Sequence, residues 1–210
     1  GLLHLPLDVT DEASIAAFTR EATARHGAPD ALVNAAGILM IGACEDYADQ
    51  ELQQVMDVNF LGMTRMVRAA LPLMKQQGQG RIVNFSSVNG LLATPFQGAY
   101  TASKHAVEGY SEALMMEVRP HGIQVMLVEP GDHRGGQEKY RSRGAQCSEC
   151  YQPARDRAAA IIARDEATGS DPARLGQKVT RALARNHMPT RLRVAKPSQH
   201  MAVMLHDLLP

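Results

Sequence analysis

Three short apolar runs recur along the chain, each preceded by a longer segment of helical periodicity and each separated from it by glycine. In the first segment Ile15, Phe18 and Ala22 share a face. Thr10 is expected to cap it ahead of Asp11-Glu12, and His26-Gly27 to stop it. The strand Ala31-Leu32-Val33 follows, ending at Asn34. A long helix is predicted from about Glu51 to Gln77, with Leu52, Val55, Met56, Met63, Met66, Val67, Ala70 and Leu71 as its apolar stripe. Gly78 and Gly80 end it before the strand Arg81–Phe85. A third helix, about Ala99 to Arg119, stops at Gly122, and the strand Ile123–Val128 runs to Pro130-Gly131. Short β-branched strands alternating with helices predict a parallel sheet covered on both faces.

Ligands of such sheets lie beyond the carboxyl ends of the strands. Those ends carry Asn34-Ala35-Ala36-Gly37, Ser86-Ser87 and Glu129-Pro130-Gly131, all small or polar. From Asp132 to about Asp171 the periodicity degrades into a glycine-rich, charged and mobile excursion, with one helix near Arg155–Arg164. A helix near Pro172–Asn186, a strand at Leu192–Val194 and an amphipathic stretch from His200 to Leu209 complete the chain.

Composition narrows the function classes. The 210 residues include 22 basic and 22 acidic side chains, and 45% are hydrophobic. This excludes a disordered tail and a nucleic-acid binder that works by bulk charge. No apolar run is long enough to span a membrane. Gly1 to Leu7 show no secretory pattern. Three cysteines suit a reducing cytoplasm better than a disulfide framework. Cys147 and Cys150, with His133 as a third ligand, make half of a zinc site at best, so no metal is expected.

Tyr100 and Lys104, four apart on the third helix, share a face. A tyrosine titrates near about 10, and a neighbouring ammonium favours its phenolate. Lowering it by ~3 units takes ~4 kcal/mol, which the ammonium and a bound cationic cofactor would share. Alone, such a pair is an ordinary surface feature. Here Ser87 stands thirteen residues upstream at a strand end, and Asn59 interrupts an apolar helix where an amide needs a partner.

Tyr100-Thr101-Ala102-Ser103-Lys104 with Ser87 resembles the active site of short-chain dehydrogenases/reductases. Asn34-Ala35-Ala36-Gly37 resembles that family's Asn-Asn-Ala-Gly segment and Asp57-Val58-Asn59-Phe60 its helix asparagine. Asp8-Val9-Thr10 resembles its adenine-pocket strand end, and Pro130-Gly131 its Pro-Gly after the sixth strand. The resemblance implies a Rossmann-type doubly wound parallel sheet and an oxidoreductase that moves a hydride between NAD or NADP and an alcohol or ketone. It makes Tyr100 the general acid/base. Lys104 lowers the tyrosine pKa and holds the nicotinamide ribose, Ser87 positions the substrate oxygen, and Asn59 orders a relay water. It places Asp8, Val9, Asn34, Ala35, Gly37, Pro130 and Gly131, with Tyr100 and Lys104, along the cofactor.

Residues 87–96 and 106–114, with the ending from Arg191 to Pro210, resemble the 17β-hydroxysteroid and retinol dehydrogenase branch, which implies a lipophilic substrate. Residues 132–171 are then expected to form its lid. Tyr140, Tyr151, Ile161 and Ile162 should face the cleft, whose apolar wall should come from Phe96 and Leu91-Leu92-Ala93. The resemblance also implies a homodimer through the second and third helices. The family's carboxamide-binding threonine is replaced by Gly135. Residues 1–210 are expected to form one domain, opening at a third strand, Leu5-Pro6-Leu7-Asp8, without the first two strands and the Gly-rich turn. In that form weak dinucleotide binding, no turnover and a tendency to aggregate are expected. Two alternatives remain: a non-catalytic binding or regulatory module, and a 3-oxoacyl-carrier-protein reductase.

Overall fold

The computed structural model describes residues 3–135 and 137–208; Gly1, Leu2, Gly136 and the closing Leu209-Pro210 lie outside the described residues. Helix α1 (Glu12–His26) leads to β1 (Ala31–Asn34) and β2 (Leu39–Ile41). Helix α2 (Asp49–Met56) runs through one π-helical turn, Asp57–Leu61, into α3 (Gly62–Gln77). Then come β3 (Gly80–Phe85), α4 (Gly98–Val118), β4 (Ile123–Pro130), β5 (Arg141–Arg143), α5 (Gln152–Ala167), α6 (Pro172–Leu183), β6 (Arg191–Val194) and α7 (Pro197–Leu208).

Four strands form one parallel sheet in the order β1-β3-β4-β6. Val33 pairs with Val83, Val83 with Met126, and Val128 with Leu192. Period-two alternation divides the core between the two faces. Ile82, Ile123 and Val125 pack with Val67, Ala70 and Met74 of α3 and Leu114 and Val118 of α4. Val83, Met126 and Val128 pack with Val179 and Ala182 of α6. The sheet is thus doubly covered, as its apolar strands require.

Several expectations are corrected. Asp11, not Thr10, caps α1, accepting from Ala13 N at 3.0 Å and Ser14 N at 3.1 Å. Thr10 is drawn away by Asp8, whose Oδ1 accepts from its backbone N at 2.8 Å and its hydroxyl at 2.7 Å. The segment around Leu5 forms no strand. Pro6 has no N–H to give a ladder, and Asp8 N donates to Ser14 Oγ at 2.9 Å. Strand β1 therefore has β3 as its neighbour and, among the described residues, an open second edge. An apolar groove of about 700 Å³ runs along it, bounded by Leu32, Phe18, Met63, Met66 and Leu73.

The 132–171 excursion is pinned at several points. β5 pairs in parallel with β2. Ala145 N donates to Glu51 Oε1 at 2.7 Å and Ser148 N to Asp46 Oδ2 at 2.9 Å, while Arg141 pairs with Glu166. On the two long helices Met63 and Met66 are buried and Met115 packs against the core, while Met116 is 72% exposed.

Candidate active site

Helix α4 starts immediately after Phe96, whose φ of 62° turns the chain sharply into it. Its first turns bring Tyr100 and Lys104 beneath the end of β3. Lys104 is buried, and its Nζ donates to the Phe85 carbonyl at 2.8 Å and lies 5.6 Å from the Tyr100 ring centroid. Ser87, two residues beyond β3, hydrogen-bonds Tyr100 and accepts from Asn89 N at 3.2 Å. Asn89 in turn donates to Thr94 Oγ1 at 2.8 Å and Gln97 Oε1 at 3.0 Å, closing the loop between β3 and α4. The structure thus brings Ser87, Tyr100 and Lys104 together.

The electrostatics differ from the sequence expectation. The dense surroundings of Tyr100 push its phenol above the usual tyrosine range; the Ser87 hydrogen bond opposes this, while Glu166 and Asp132 add to it. Burial pushes the Lys104 ammonium down to about 8, opposed by Glu108. With Lys104 brought down to about 8, its positive charge is gone before a phenol held above its usual range gives up its proton.

Asn59 sits in the π-helical turn and is 2% exposed. Its Oδ1 accepts from Ile38 N at 2.7 Å, and its Nδ2 donates to Ile38 O and to Ser103 Oγ, both at 2.9 Å. Ser103 Oγ donates to Tyr100 O at 2.7 Å. The amide that looked misplaced in an apolar helix is therefore fully used, as a brace between the segment after β1 and the start of α4.

A cleft of about 780 Å³ opens above these residues. Ala35 and Gly37 line it on one side, and Pro130 and Gly131 on the other. A Cβ on Gly131 would fall 2.0 Å from Gln199 Oε1 and 2.9 Å from Ala195 Cβ, so a larger residue there would displace both. Asn34 points elsewhere, its Nδ2 donating to Asn84 Oδ1 at 2.9 Å. Asp8 and Val9 lie away from the cleft; Val9 packs against Gly62 and borders the β1 groove. Tyr140, Ile161 and Ile162 line the cleft as expected, and Tyr151 meets Phe96 edge-on at 6.3 Å. Leu91-Leu92-Ala93 are not in its wall, which is built from Thr94, Pro95 and Phe96. Among the described residues no group of three metal-ligating side chains exists.

Sequence reasoning weighed His133 only as a third zinc ligand and missed that it lines the cleft. It also missed a charge cluster behind the site, where Arg191 meets Glu108, Glu112 and Glu129, and Arg193 Nε donates to Glu129 Oε2 at 2.7 Å. The signal for the cluster was present: Glu108 and Glu112 share a face of α4, and two arginines alternate on β6.

Residues 2–143 match the model of the short chain dehydrogenase family. A 3-ketodihydrosphingosine reductase of Bacteroides thetaiotaomicron is 37% identical over 208 residues, 98% of this chain and 77% of that enzyme. A 3-alpha-(or 20-beta)-hydroxysteroid dehydrogenase of Mycobacterium tuberculosis is 42% identical over 128 residues, 61% of this chain and 49% of that enzyme. Among solved structures, a short-chain dehydrogenase from Streptomyces avermitilis superposes with a TM-score of 0.86 at 32% identity, covering 95% of this chain and 73% of the other. A Burkholderia phymatum short-chain dehydrogenase/reductase in complex with NAD gives 0.83 at 27%, covering 98% and 75%. The chain belongs to the short-chain dehydrogenase family, and its sheet is a Rossmann-type sheet.

Proposed function

We propose that the protein interconverts a lipophilic ketone and its alcohol with a nicotinamide dinucleotide. The observation that carries this is the convergence of Ser87, Tyr100 and Lys104 at the floor of a cleft with apolar walls.

The residues present fit the nicotinamide half of such a cofactor. Ala35, Gly37 and Gly131 leave the cleft sides free of bulk, so a flat ring can approach the backbone. A Cβ on Gly37 would lie 3.4 and 3.7 Å from Asn59 Oδ1 and Lys104 Nζ, ordinary contacts, so a methyl fits there and only a longer side chain would intrude on the cleft. Tyr100 and Lys104 would hold the ribose hydroxyls. When bound, the dinucleotide supplies or takes the hydride.

The chain's own residues handle the proton. In reduction Tyr100 gives its hydroxyl proton to the carbonyl oxygen as that oxygen gains charge, and Ser87 orients the oxygen. In oxidation the phenolate takes the alcohol proton. A phenol held above its usual range is fully protonated at neutral pH, which favours reduction there. Asn59 holds Ile38 and Ser103, and a water beside it would serve the relay from Lys104 to solvent.

Tyr140, Phe96, Ile161 and Ile162 supply apolar surface suited to a steroid-like or long-chain carbonyl rather than a polyol. The relatives named for a ketosphingoid base and a hydroxysteroid support this substrate class. A homodimer formed through α3 and α4, with Met116 at its face, and residence in a reducing cytoplasm belong to the same reading. A panel of steroid, long-chain and sugar carbonyls assayed with NADH and NADPH tests it; turnover confined to sugars would overturn the lipophilic assignment. Light scattering at tens of micromolar tests the dimer.

A further inference from the structure

We propose that His133 binds the carboxamide of the nicotinamide, its Nε2 accepting a hydrogen bond from the amide N–H₂. The inference rests on the hydride-transfer reading and adds to it a residue for which the fold has no other use.

His133 is buried at 5% exposure and lines the cleft just beyond Gly131. Its Nδ1 lies 2.9 Å from the Gly131 carbonyl oxygen. A carbonyl only accepts, so Nδ1 carries a proton, and in the neutral ring Nε2 is then the acceptor. Nε2 is buried and has no partner among the described residues. Such an atom is unfavourable unless a ligand completes it.

The ring is held in place. Ser170 N donates to Asp132 O at 2.9 Å and Arg134 N to Ser170 O at 3.0 Å, clamping the backbone on both sides of His133. Gly169 packs so closely that a Cβ there would lie 2.7 Å from the His133 carbonyl carbon. The neighbouring polar groups are already committed. Asp132 Oδ2 accepts from Gln199 Nε2 at 2.9 Å, and Gln199 Oε1 accepts from Lys196 N at 3.1 Å.

The missing partner is an N–H or O–H donor, and the cleft that His133 lines is where one can enter. The substrate oxygen falls to Ser87 and Tyr100, and the ribose hydroxyls to Tyr100 and Lys104. The amide N–H₂ is the donor left without an acceptor, and Gly135 has no side chain to offer it.

The test is titration of the full chain with NADH and with its reduced 3-acetylpyridine analogue, in which methyl replaces the amide nitrogen. The wild type is expected to prefer NADH by about five- to tenfold. His133→Phe should bind both alike, and His133→Gln, which returns an acceptor near the same point, should restore part of the preference. In unsubstituted protein the His133 Nε2 resonance in ¹⁵N spectra should shift with NADH and not with the analogue. That readout stands even if the Phe variant fails to fold. Equal wild-type affinity for the two ligands, a full preference retained in His133→Phe, or an Nε2 that carries a proton or shifts equally with both would overturn the assignment, while NADH binding itself leaves the hydride-transfer reading intact. Binding of neither ligand would overturn this assignment but not the hydride-transfer reading, since weak dinucleotide binding is expected of residues 1–210.

Discussion

Asn59 grips the Ile38 peptide from both sides, accepting from its N–H at 2.7 Å and donating to its C=O at 2.9 Å. The same amide nitrogen reaches Ser103, which bonds the Tyr100 carbonyl. One side chain therefore sets the distance between the segment after β1 and the acid/base helix. Asn59→Ala should destabilise the protein by about 3 kcal/mol, because buried backbone groups lose their partners. Asn59→Asp keeps the acceptor for Ile38 N but turns a second oxygen toward Ile38 O. It should be worse at neutral pH and recover as acid protonates the carboxyl and restores a donor. Urea unfolding at two pH values checks both; an Asp variant insensitive to pH would show that the clasp is not what matters.

In the proposed reaction the Tyr100 hydroxyl, hydrogen-bonded to Ser87, carries the proton. In a form that carries the Gly-rich turn, Tyr100→Phe should lower turnover by several orders of magnitude with the fold unchanged by circular dichroism, because packing is preserved. Since burial holds the phenol up, reduction should be flat through neutral pH and fall only in alkali, as the acid form is lost. Oxidation should climb over the same alkaline range, as the base form appears. Rates measured in both directions from pH 6 to 10 test this; oxidation that peaked below neutrality would contradict the assignment.

Lys104 trades stability for function. Its pKa falls from 10.5 to about 8 on folding, so the folded chain holds that proton less tightly than the unfolded chain. Below pH 8 the burial penalty is fully present; it is relieved as pH rises from 8 toward 10.5, where the unfolded chain releases its proton too. The penalty is on the order of 3 kcal/mol. The hydrogen bond to Phe85 O returns about 1 kcal/mol of it. Lys104→Met should thus be more stable than wild type by about 2 kcal/mol at neutral pH, with little activity. Its advantage should shrink steadily above pH 8. An advantage that grew with pH would have the wrong sign.

What the sequence made legible were the features fixed by local pattern. β3, β4 and α4 lie within a residue or two of their expected bounds, and strand-end reasoning correctly put Ser87 and Gly131 at one cleft. The π-helical turn at Asp57–Leu61 was not legible, because the apolar stripe continues across it and one extra residue per turn barely disturbs a periodicity. Strands β2 and β5 have three residues each, too few for alternation to show. Leu5–Asp8 has the composition of a strand, yet a strand is defined by its partner. His133 carried no motif; its significance comes from an unpaired nitrogen, which only coordinates reveal.

Glu129 is fully buried at the end of β4 and pairs with two arginines of β6. Arg191 also pairs with Glu108 at 2.7 Å and with Glu112, so it joins β6 to both β4 and α4. β6 has only four residues and, among the described residues, pairs with β4 alone. These ion pairs therefore supply much of its anchorage, and α7, with the Gln199 that backs Gly131 and Asp132, follows directly from it. Arg191→Met leaves Glu108 unpaired and Glu129 with one partner. Because Arg191 is one-third exposed, water screens part of the loss, and about 2 to 3 kcal/mol of destabilisation is expected rather than the full value for a buried pair. Adding Glu108→Gln removes the stranded charge and should recover a good part of that. If the double variant were as unstable as the sum of the single changes, the arginine would be acting through packing of its stem and not through the carboxylates it touches. Hydrogen exchange gives a second readout: amides of β6 and α7 should lose protection before those of β3, since only the former depend on this contact.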